Sequence, residues 1–177
     1  MDVLEAIKGR RSIREFKPEP VKDEDLRKIL DAGRFAPSAG NCQPSELVVV
    51  KEPSIKRRIA AAALEQTFIA EAPVVIVVCA NLPRTSRRYG RRGQELYCLQ
   101  DTAAATQNIL LAAYSLGYGT CWIGAFDEGA VANVIQVPSG VRPVAIIPLG
   151  RPVENPSPPQ RRSLDDIVHI NAWITPH

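Results

Sequence analysis

The sequence predicts an α+β fold, a three-layer sandwich in which helices cover both faces of a central sheet. Segments with a helical repeat alternate along the chain with short runs of β-branched residues, an order typical of layered folds. The run Pro73–Cys79 has no charged residue, as expected for a strand that is buried on both faces. The chain of 177 residues has the length of one domain, so we assign residues 1–177 to a single domain with 152–177 as an extended C-terminal arm.

The chain begins with a capped helix. Asp2 and Glu5 have the spacing of a capping box, and the short amphipathic helix that they start ends at Gly9. A polar loop closed by two prolines follows over residues 10–20. Asp23–Phe35 is predicted to be a second helix, which has its apolar residues on one face and ends before the next proline.

The middle of the chain alternates loops with regular elements. Residues 36–45 are rich in Pro, Ser, Gly and Asn and predict a loop. Leu47–Lys51 is predicted to be a strand and Ser54–Leu64 a helix. The buried strand Pro73–Cys79 comes next, and the glycine- and arginine-rich segment Asn81–Gly93 is predicted to be a loop.

Gln94–Leu116 is predicted to be the dominant helix, with more than twenty residues. Its centre is small and apolar almost all the way round, so we expect it to be buried from several directions, in part by a second subunit. Thr120–Ile123 is a predicted strand, Glu128–Val134 a short helix and Pro143–Leu149 another buried strand.

The composition changes after Arg151. Four prolines precede Gln160, and prolines cannot join the interior of a sheet. The segment Leu164–Ile174 then carries several large apolar side chains, too many to be left in water. We therefore predict an arm that packs on a partner subunit.

The composition excludes several classes of protein. A net charge of +3 is too small to indicate a nucleic-acid partner. Four widely spaced cysteines without a C-x-x-C pair, together with only two histidines, indicate free thiols in a reducing cytosol and no metal site. The longest nearly uncharged stretch, Thr102–Phe126, is interrupted by glycines and makes a poor membrane span. The acidic N-terminus is unlike a signal peptide, so we expect a cytoplasmic protein.

Common catalytic signatures are missing from the sequence. It has no G-x-S-x-G elbow, no phosphate-binding loop that ends in Gly-Lys-Ser/Thr, and no H-E-x-x-H. The glycines of Gly117–Gly119 follow a helix and precede a strand, the reverse of the order in a dinucleotide fingerprint. A chain this poor in acid–base side chains would take its chemistry from a cofactor, and we predict no catalytic side chain.

Four segments could hold a cofactor, and each has a simpler interpretation. Arg10–Arg14 offers guanidiniums and a hydroxyl to a phosphate, although a solvated basic turn at a helix end explains it slightly better. The amides of Ala36–Pro44 match the edge of a flavin-like heterocycle, or belong to an ordinary polar loop. The glycines of Gly119–Gly124 allow close backbone approach to a flat ring, or simply pack in a sheet. Gly150–Arg151 and Arg161–Arg162 add cations, or form a charged surface.

Six stretches of the sequence, in this order, resemble the nitroreductase family, and the resemblance covers nearly the whole chain. Each motif is modest, but the ordered set is specific. The stretches are R-R-S-I-R-E-F at 10–16, A-P-S-A-G-N-C-Q-P at 36–44, E-A-P-V-V-I-V-V at 71–78, L-Q-D-T-A-A-A-T-Q-N-I-L-L-A-A at 99–113, G-Y-G-T-C-W-I-G at 117–124 and P-L-G-R-P at 148–152.

The resemblance implies an intertwined homodimer with a mainly antiparallel sheet and one FMN at each subunit junction. It assigns the FMN phosphate and ribityl chain to Arg10, Ser12 and Arg161, with help from Arg11. It places Arg14 near the N1–C2 carbonyl edge of the flavin, where negative charge collects on reduction and a cation stabilises it.

The resemblance also implies that the flavin ring lies between two sets of residues from different subunits. One set belongs to the partner's copy of the loop at 36–44, the other is largely backbone, and one glutamine is a weaker ring-edge candidate. The sets are Pro37, Ser38, Ala39, Asn41 and Gln43 from the partner, and Trp122, Ile123, Gly124 and Gln66 from the same chain.

The chain departs from the family pattern at three points. Ser45 stands where an aromatic residue commonly follows Gln-Pro, so packing beside that loop is looser. No basic residue stands just before Arg161, so phosphate affinity leans harder on Arg10 and Arg14. The chain is also shorter than many relatives, which puts the usual substrate-covering excursion in doubt.

The implied function is FMN-dependent transfer of hydride from NAD(P)H to a nitroaromatic, quinone or similar acceptor by a ping-pong mechanism. Fold does not dictate function, and some relatives fragment flavin with oxygen or dehalogenate aromatic substrates. A flavin-binding module with little turnover is a further alternative.

Five arginines lie between Arg84 and Arg92 without an acid among them. They suit a mobile loop that grips a phosphate of the donor and so favours NADPH. An exposed, solvated loop explains them at least as well. A basic-loop nucleic-acid binder is a third interpretation, which predicts salt-dependent affinity and no flavin.

Overall fold

The computed structural model describes residues 1–173 and shows an α+β fold. Local sequence signals start several elements: Asp2 and Glu5 form the predicted capping box of the first helix, and Pro53 stands at the start of the third. The elements are α1 (Val3–Gly9), α2 (Asp23–Arg34), β1 (Ser45–Val50), α3 (Pro53–Ala62), α4 (Phe68–Glu71), β2 (Val74–Asn81), α5 (Leu82–Arg92), α6 (Cys98–Ser115), β3 (Gly119–Thr120), α7 (Glu128–Ile135) and β4 (Val141–Gly150).

The four strands form one antiparallel sheet in the order β1-β2-β4-β3. β2 lies at its centre, with Val74–Ala80 buried, which confirms the strand that the uncharged run predicted. β1 and β3 are the edges. The predicted antiparallel sheet is thereby confirmed.

Helices cover both faces of the sheet. Alternate side chains of β2 point to opposite faces and therefore pack against different helices. Val74, Ile76 and Val78 pack in the core beneath α2 and α6. Val75 and Val77 pack in a second core beneath α3, α4 and α7. The result is the predicted three-layer sandwich.

The prediction of a loop over Asn81–Gly93 is wrong, since this segment forms helix α5. The Asn81 side chain accepts a hydrogen bond from the Arg84 amide at 3.3 Å, which caps the first turn, and Pro83 stands in that turn. Gly90, with φ 55°, interrupts the helix, and a π-helical stretch over Gly93–Tyr97 joins it to α6. The helix was missed because a segment rich in glycine and arginine usually indicates a loop.

Two smaller differences concern α4 and β3. The helix α4 was not predicted, since four residues are too few for a visible repeat. The strand predicted over Thr120–Ile123 is only Gly119–Thr120, because the chain leaves the sheet after Thr120. Ile123 returns to it in a single bridge with Ile146.

The C-terminal arm leaves the sheet after β4. Phe16 bridges Pro152, and the remainder of the described arm is irregular and largely exposed, with Trp173 80 % exposed. The predicted apolar segment ends at Ile174, which lies outside the described residues. Within residues 1–173, no helix is both long and apolar enough to cross a membrane.

Candidate functional site

The segment Arg10–Arg14 lies along the edge strand β3. Ser12 forms a parallel bridge with Thr120, and the Ile13 amide donates to the Thr120 carbonyl at 2.9 Å. The Ile13 side chain is buried against Gly119, where an added Cβ would lie 2.8 Å from three of its carbons. Since neighbours in an extended segment point to opposite sides, Ile13 in the core leaves Ser12 and Arg14 on the other side.

The polar groups of this segment surround Cys121. Burial raises the pKa of the Cys121 thiol, while the Arg14 charge, a hydrogen bond from Ser12 and the Arg10 charge act to lower it. Both guanidiniums therefore reach the same small region. Beside it, the Thr120 hydroxyl is buried without a hydrogen-bond partner in the described structure. Two cations and the Ser12 hydroxyl near Cys121, with the Thr120 hydroxyl on the adjacent residue, suit an anion such as a phosphate.

Two further groups complete this corner of the sheet. The Arg11 guanidinium caps α1, donating to the carbonyls of Lys8 at 2.8 Å, Gly9 at 3.1 Å and Arg10 at 2.9 Å. The Glu154 carboxylate accepts hydrogen bonds from the backbone amides at positions 14 and 15, which fixes the segment against the start of the arm.

Gln66 lies close to the end of the segment at 122–125, because its side chain bonds the Ala125 carbonyl. The Gln66 amide donates to the carbonyls of Ala63 at 2.8 Å and Ala125 at 3.1 Å, so its orientation is fixed and its oxygen remains an acceptor. A Cβ added at Gly124 would meet no atom within 4 Å, so the backbone there is open to a flat ligand. Trp122 is 40 % exposed beside it, and Ile123 is buried.

The loop at Pro37–Gln43 forms a second polar cluster. Gly40, Asn41 and Gln43 all adopt left-handed backbone angles, with φ of 52°, 55° and 50°. The Ser38 hydroxyl accepts from the Gln43 amide at 2.9 Å. Pro37, Ser38 and Gln43 line a cleft of about 470 Å³ between the loop, α2 and β1.

Asp101 of α6 also lies at this candidate site, and the sequence analysis did not select it. Its carboxylate lines the same cleft and accepts from the Ala39 amide at 3.0 Å, and its other oxygen is buried without a partner in the described structure. Burial raises the pKa of Asp101, against the opposing effect of that hydrogen bond. The sequence did carry a signal, because Asp101 is the single charged residue between Glu95 and Asp127.

The two polar clusters lie at diagonally opposite corners of the sheet. Thr120 of β3 pairs with Leu149 of β4. Ser45, which follows the loop, pairs with Ala80 of β2, and Ala80 in turn pairs with Arg142 of β4. Seven residue steps of β4 correspond to roughly 23 Å, and three strand spacings add about 14 Å across the sheet. One chain therefore does not bring the residues expected to hold the phosphate next to the loop expected to touch the flavin ring.

Arg161 lies in the exposed arm, apart from these clusters. No hydrogen bond or ion pair within residues 1–173 joins it to the other expected cofactor residues. Its neighbour Arg162 donates to the Asp166 carbonyl at 3.0 Å. The role of Arg161 in phosphate binding stays a prediction.

The arginines between positions 84 and 92 were expected to lie in a mobile loop. They lie on helix α5, so the prediction of a loop was wrong. Arg84 donates to the Gln43 carbonyl at 2.8 Å and Arg88 to the Gly40 carbonyl at 2.7 Å. Arg91 pairs with Glu95 and Arg92 bonds Tyr97, at 2.6 and 2.9 Å. The first two guanidiniums thus face the loop at 37–43.

A model of the nitroreductase family matches residues 7–70 and 60–151. A protein of Methanothermobacter thermautotrophicus, provisionally named NADH dehydrogenase/NAD(P)H nitroreductase, is 38 % identical over 179 residues, which cover 98 % of this chain and 88 % of that protein. The oxygen-insensitive NADPH nitroreductase of Salmonella typhimurium is 30 % identical, with 96 % and 74 % covered.

The fold is also found in solved structures. The NADPH:FMN oxidoreductase of Vibrio harveyi, complexed with NAD⁺, superposes with a TM-score of 0.90 at 27 % identity, covering 98 % of this chain and 79 % of that one. Sequence and fold therefore agree over nearly the whole length, and the chain belongs to the nitroreductase family.

Proposed function

We propose that this protein is an FMN-dependent oxidoreductase that takes hydride from NAD(P)H and passes it to a nitroaromatic, quinone or similar acceptor. Relatives are named NAD(P)H nitroreductases and FMN reductases, which supports both the cofactor and the donor. Bound FMN would supply the redox chemistry, accepting hydride from one substrate and returning it to the next. The observation that carries the proposal is the grouping of Arg10, Ser12 and Arg14 near Cys121, next in the chain to the Thr120 hydroxyl, which is buried without a hydrogen-bond partner in the described structure.

The residues at β3 fit the phosphate end of FMN. Arg10 and Arg14 provide charge, Ser12 and Thr120 provide hydroxyl donors, and the bridge to β3 holds them in place. Guanidinium–phosphate hydrogen bonds are charge-assisted and strong, so these residues would dominate cofactor affinity. The Arg14 guanidinium lies 5.9 Å from the centre of the Phe68 ring. Phe68 is two residues beyond Gln66, so Arg14 would lie between the phosphate end and the ring edge of the bound cofactor.

The ring end would be held by Gln66, the backbone of 122–124 and the partner's loop. The free oxygen of the Gln66 amide can accept a hydrogen bond from a flavin ring nitrogen. The open backbone at Gly124 leaves room for a planar ring. These groups orient the ring, and no side chain of the chain needs to act as nucleophile.

The separation of the two polar clusters supports a homodimer. A flavin that touches both must lie between two chains, each of which supplies one cluster. The surface also exposes large apolar side chains that a monomer would leave in water, on α1 (Val3, Leu4 and Ile7), at Phe35 and along the arm (Leu164, Ile170 and Trp173). We propose that a second copy covers them.

In the proposed reaction the donor and the acceptor use the same place in turn, so the kinetics are ping-pong. The protein would fix both ring systems and exclude other geometries, with Arg14 stabilising the negative charge that develops beside it. All four cysteines are free in the structure.

The test is the visible absorbance spectrum of the purified protein, followed by anaerobic additions of NADPH and NADH. A flavin spectrum that either donor bleaches, and that a nitroaromatic or quinone restores, supports the proposal and identifies the donor. A bound flavin that neither donor reduces contradicts hydride transfer and favours a specialised relative or a carrier. A colourless protein that does not bind added FMN refutes the proposal.

A further inference from the structure

The loop expected to touch the flavin ring has an unusual backbone conformation. Three of its residues, Gly40, Asn41 and Gln43, lie in the left-handed region, and two of them are not glycine. Such conformations are unfavourable for side chains with a Cβ and persist only where surrounding groups impose them. The loop makes three internal hydrogen bonds. The Asn41 amide donates to the Ser38 carbonyl and the Cys42 amide to the Ala39 carbonyl, both at 3.0 Å, and the Gln43 amide donates to the Ser38 hydroxyl at 2.9 Å.

Three side chains outside the loop bond its backbone from two sides. Asp101 of α6 accepts from the Ala39 amide at 3.0 Å. From α5, Arg88 donates to the Gly40 carbonyl at 2.7 Å and Arg84 to the Gln43 carbonyl at 2.8 Å. Each of these bonds has a charged partner, and such bonds are stronger than neutral ones.

Each member of this clamp (Arg84, Arg88 and Asp101) is itself held in place. Asp101 is 8 % exposed, so the fold buries a carboxylate whose described bond is to this loop. Arg84 is also paired with Glu46 of β1 at 2.6 Å. Helix α5 lies directly against the loop, because a Cβ at Gly40 would come within 2.7 Å of the Arg88 guanidinium.

We propose that Arg84, Arg88 and Asp101 are positioning residues that clamp the loop at 38–43 in the conformation that contacts the partner's flavin. This inference rests on the proposed function and goes beyond it, because it assigns roles to α5 and to a buried carboxylate that the proposed function does not use. Arg84 and Arg88 thereby set flavin affinity and ring environment through the loop backbone. Their guanidiniums bond loop carbonyls, and that of Arg84 also pairs with Glu46.

The test measures FMN affinity and ring environment in the holoenzyme. Release of FMN on dilution, followed by its fluorescence, gives the Kd, and visible circular dichroism reports the surroundings of the ring. For Arg84→Ala/Arg88→Ala we expect the Kd to rise about tenfold, as expected for losing charged hydrogen bonds at a partly exposed site, and the dichroism to change. The control Arg87→Ala removes an exposed cation of the same helix and should change neither.

Asp101 allows a conservative rescue. Asp101→Asn keeps an oxygen that can accept from the Ala39 amide, so we expect near wild-type FMN affinity. Asp101→Ala removes the acceptor, and should raise the Kd and accelerate hydrogen exchange at the Ala39 amide even without FMN. Should the double arginine variant fail to fold, Arg88→Gln, which removes the charge and shortens the side chain but keeps an amide donor, replaces it in the same measurements.

The outcomes separate this inference from the proposed function. Wild type that binds FMN, together with folded arginine and Asp101→Ala variants whose Kd and dichroism are unchanged, overturns the clamp alone. Faster exchange at Ala39 with unchanged FMN affinity also overturns it, because the contact is then structural only. Wild type that binds no FMN overturns both the clamp and the proposed function.

Discussion

A flavin site shared between two chains predicts complementation between two variants that each fail to bind FMN. The first variant, Arg10→Glu/Arg14→Glu, reverses both cations that act on Cys121 at the end of β3. The second, Asn41→Trp, places a large ring on the exposed face of the loop at the opposite corner of the sheet. A mixed dimer of the two has one site with both changes and one site with neither.

The structure sets the size of the expected effect. Loss of a single charge-assisted hydrogen bond costs about 1.5–3 kcal/mol, or roughly ten- to a hundredfold in affinity, and reversing two cations costs more. Each variant alone should therefore lose FMN on dialysis. The polar clusters are separated by roughly 23 Å along the strands and about 14 Å across them, so a changed loop cannot damage the phosphate site of its own chain.

The assay uses two affinity tags, one on each variant, so that mixed dimers are isolated by successive purification after co-expression. We expect about one FMN per mixed dimer, half the wild-type content, and none in either parent. Each parent must remain folded and dimeric for the comparison to hold, which sedimentation and circular dichroism establish. Mixed dimers that are as colourless as the parents would refute the shared site.

Three further predictions concern stability and reactivity. Gly119→Ala should destabilise the fold by about 1–3 kcal/mol in urea unfolding, since its Cβ would lie 2.8 Å from the buried Ile13 side chain. The pKa of Glu128 is lowered chiefly by its hydrogen bond from Arg142, so this pair should stabilise the fold above pH 4.5, and the gain should be lost as the pH falls through the folded pKa. Both side chains are partly exposed, so we expect less than about 1 kcal/mol. A thiol reagent should label half-buried Cys42 first in the native protein and reach the three buried cysteines only on unfolding.

Each of these predictions has a control. Gly124→Ala adds the same methyl group where no atom lies within 4 Å, and equal losses for the two glycines would contradict the packing argument. Glu128→Gln should make the free energy of unfolding depend less on pH in the acidic range. An unchanged dependence would show that the pair does not contribute. Burial raises the pKa of Cys79 to about 12, so rapid native labelling of Cys79 would contradict its inaccessibility.

Elements with a local cause were predictable from the sequence. The first helix follows from the capping box of Asp2 and Glu5, which are three residues apart. The central strand β2 follows from its uncharged apolar run, because a strand buried on both faces needs apolar side chains on both. Helix α5 was missed because its start depends on the Asn81 cap, and glycine and arginine usually indicate a loop.

The cofactor segments were recognised as segments, but their arrangement was not. The Arg11 guanidinium caps α1, and those of Arg84 and Arg88 bond the loop at 38–43, contacts that the sequence did not predict. Asp101 was passed over within a helix of small residues. Nothing in a local pattern distinguishes an arginine that binds a ligand from one that binds a carbonyl of its own chain.

The sequence by itself determined the alternation of helices and strands, the buried strands and the residue types available for a flavin. These depend on neighbours within a few positions, through hydrogen bonds along a helix and the two-residue repeat of a strand. Only the tertiary structure decided which side chains meet. The Ala39–Asp101 bond joins residues 62 positions apart, and Ser12 meets Thr120 across most of the chain. Such contacts are fixed by how the layers pack together, which no short stretch of sequence encodes.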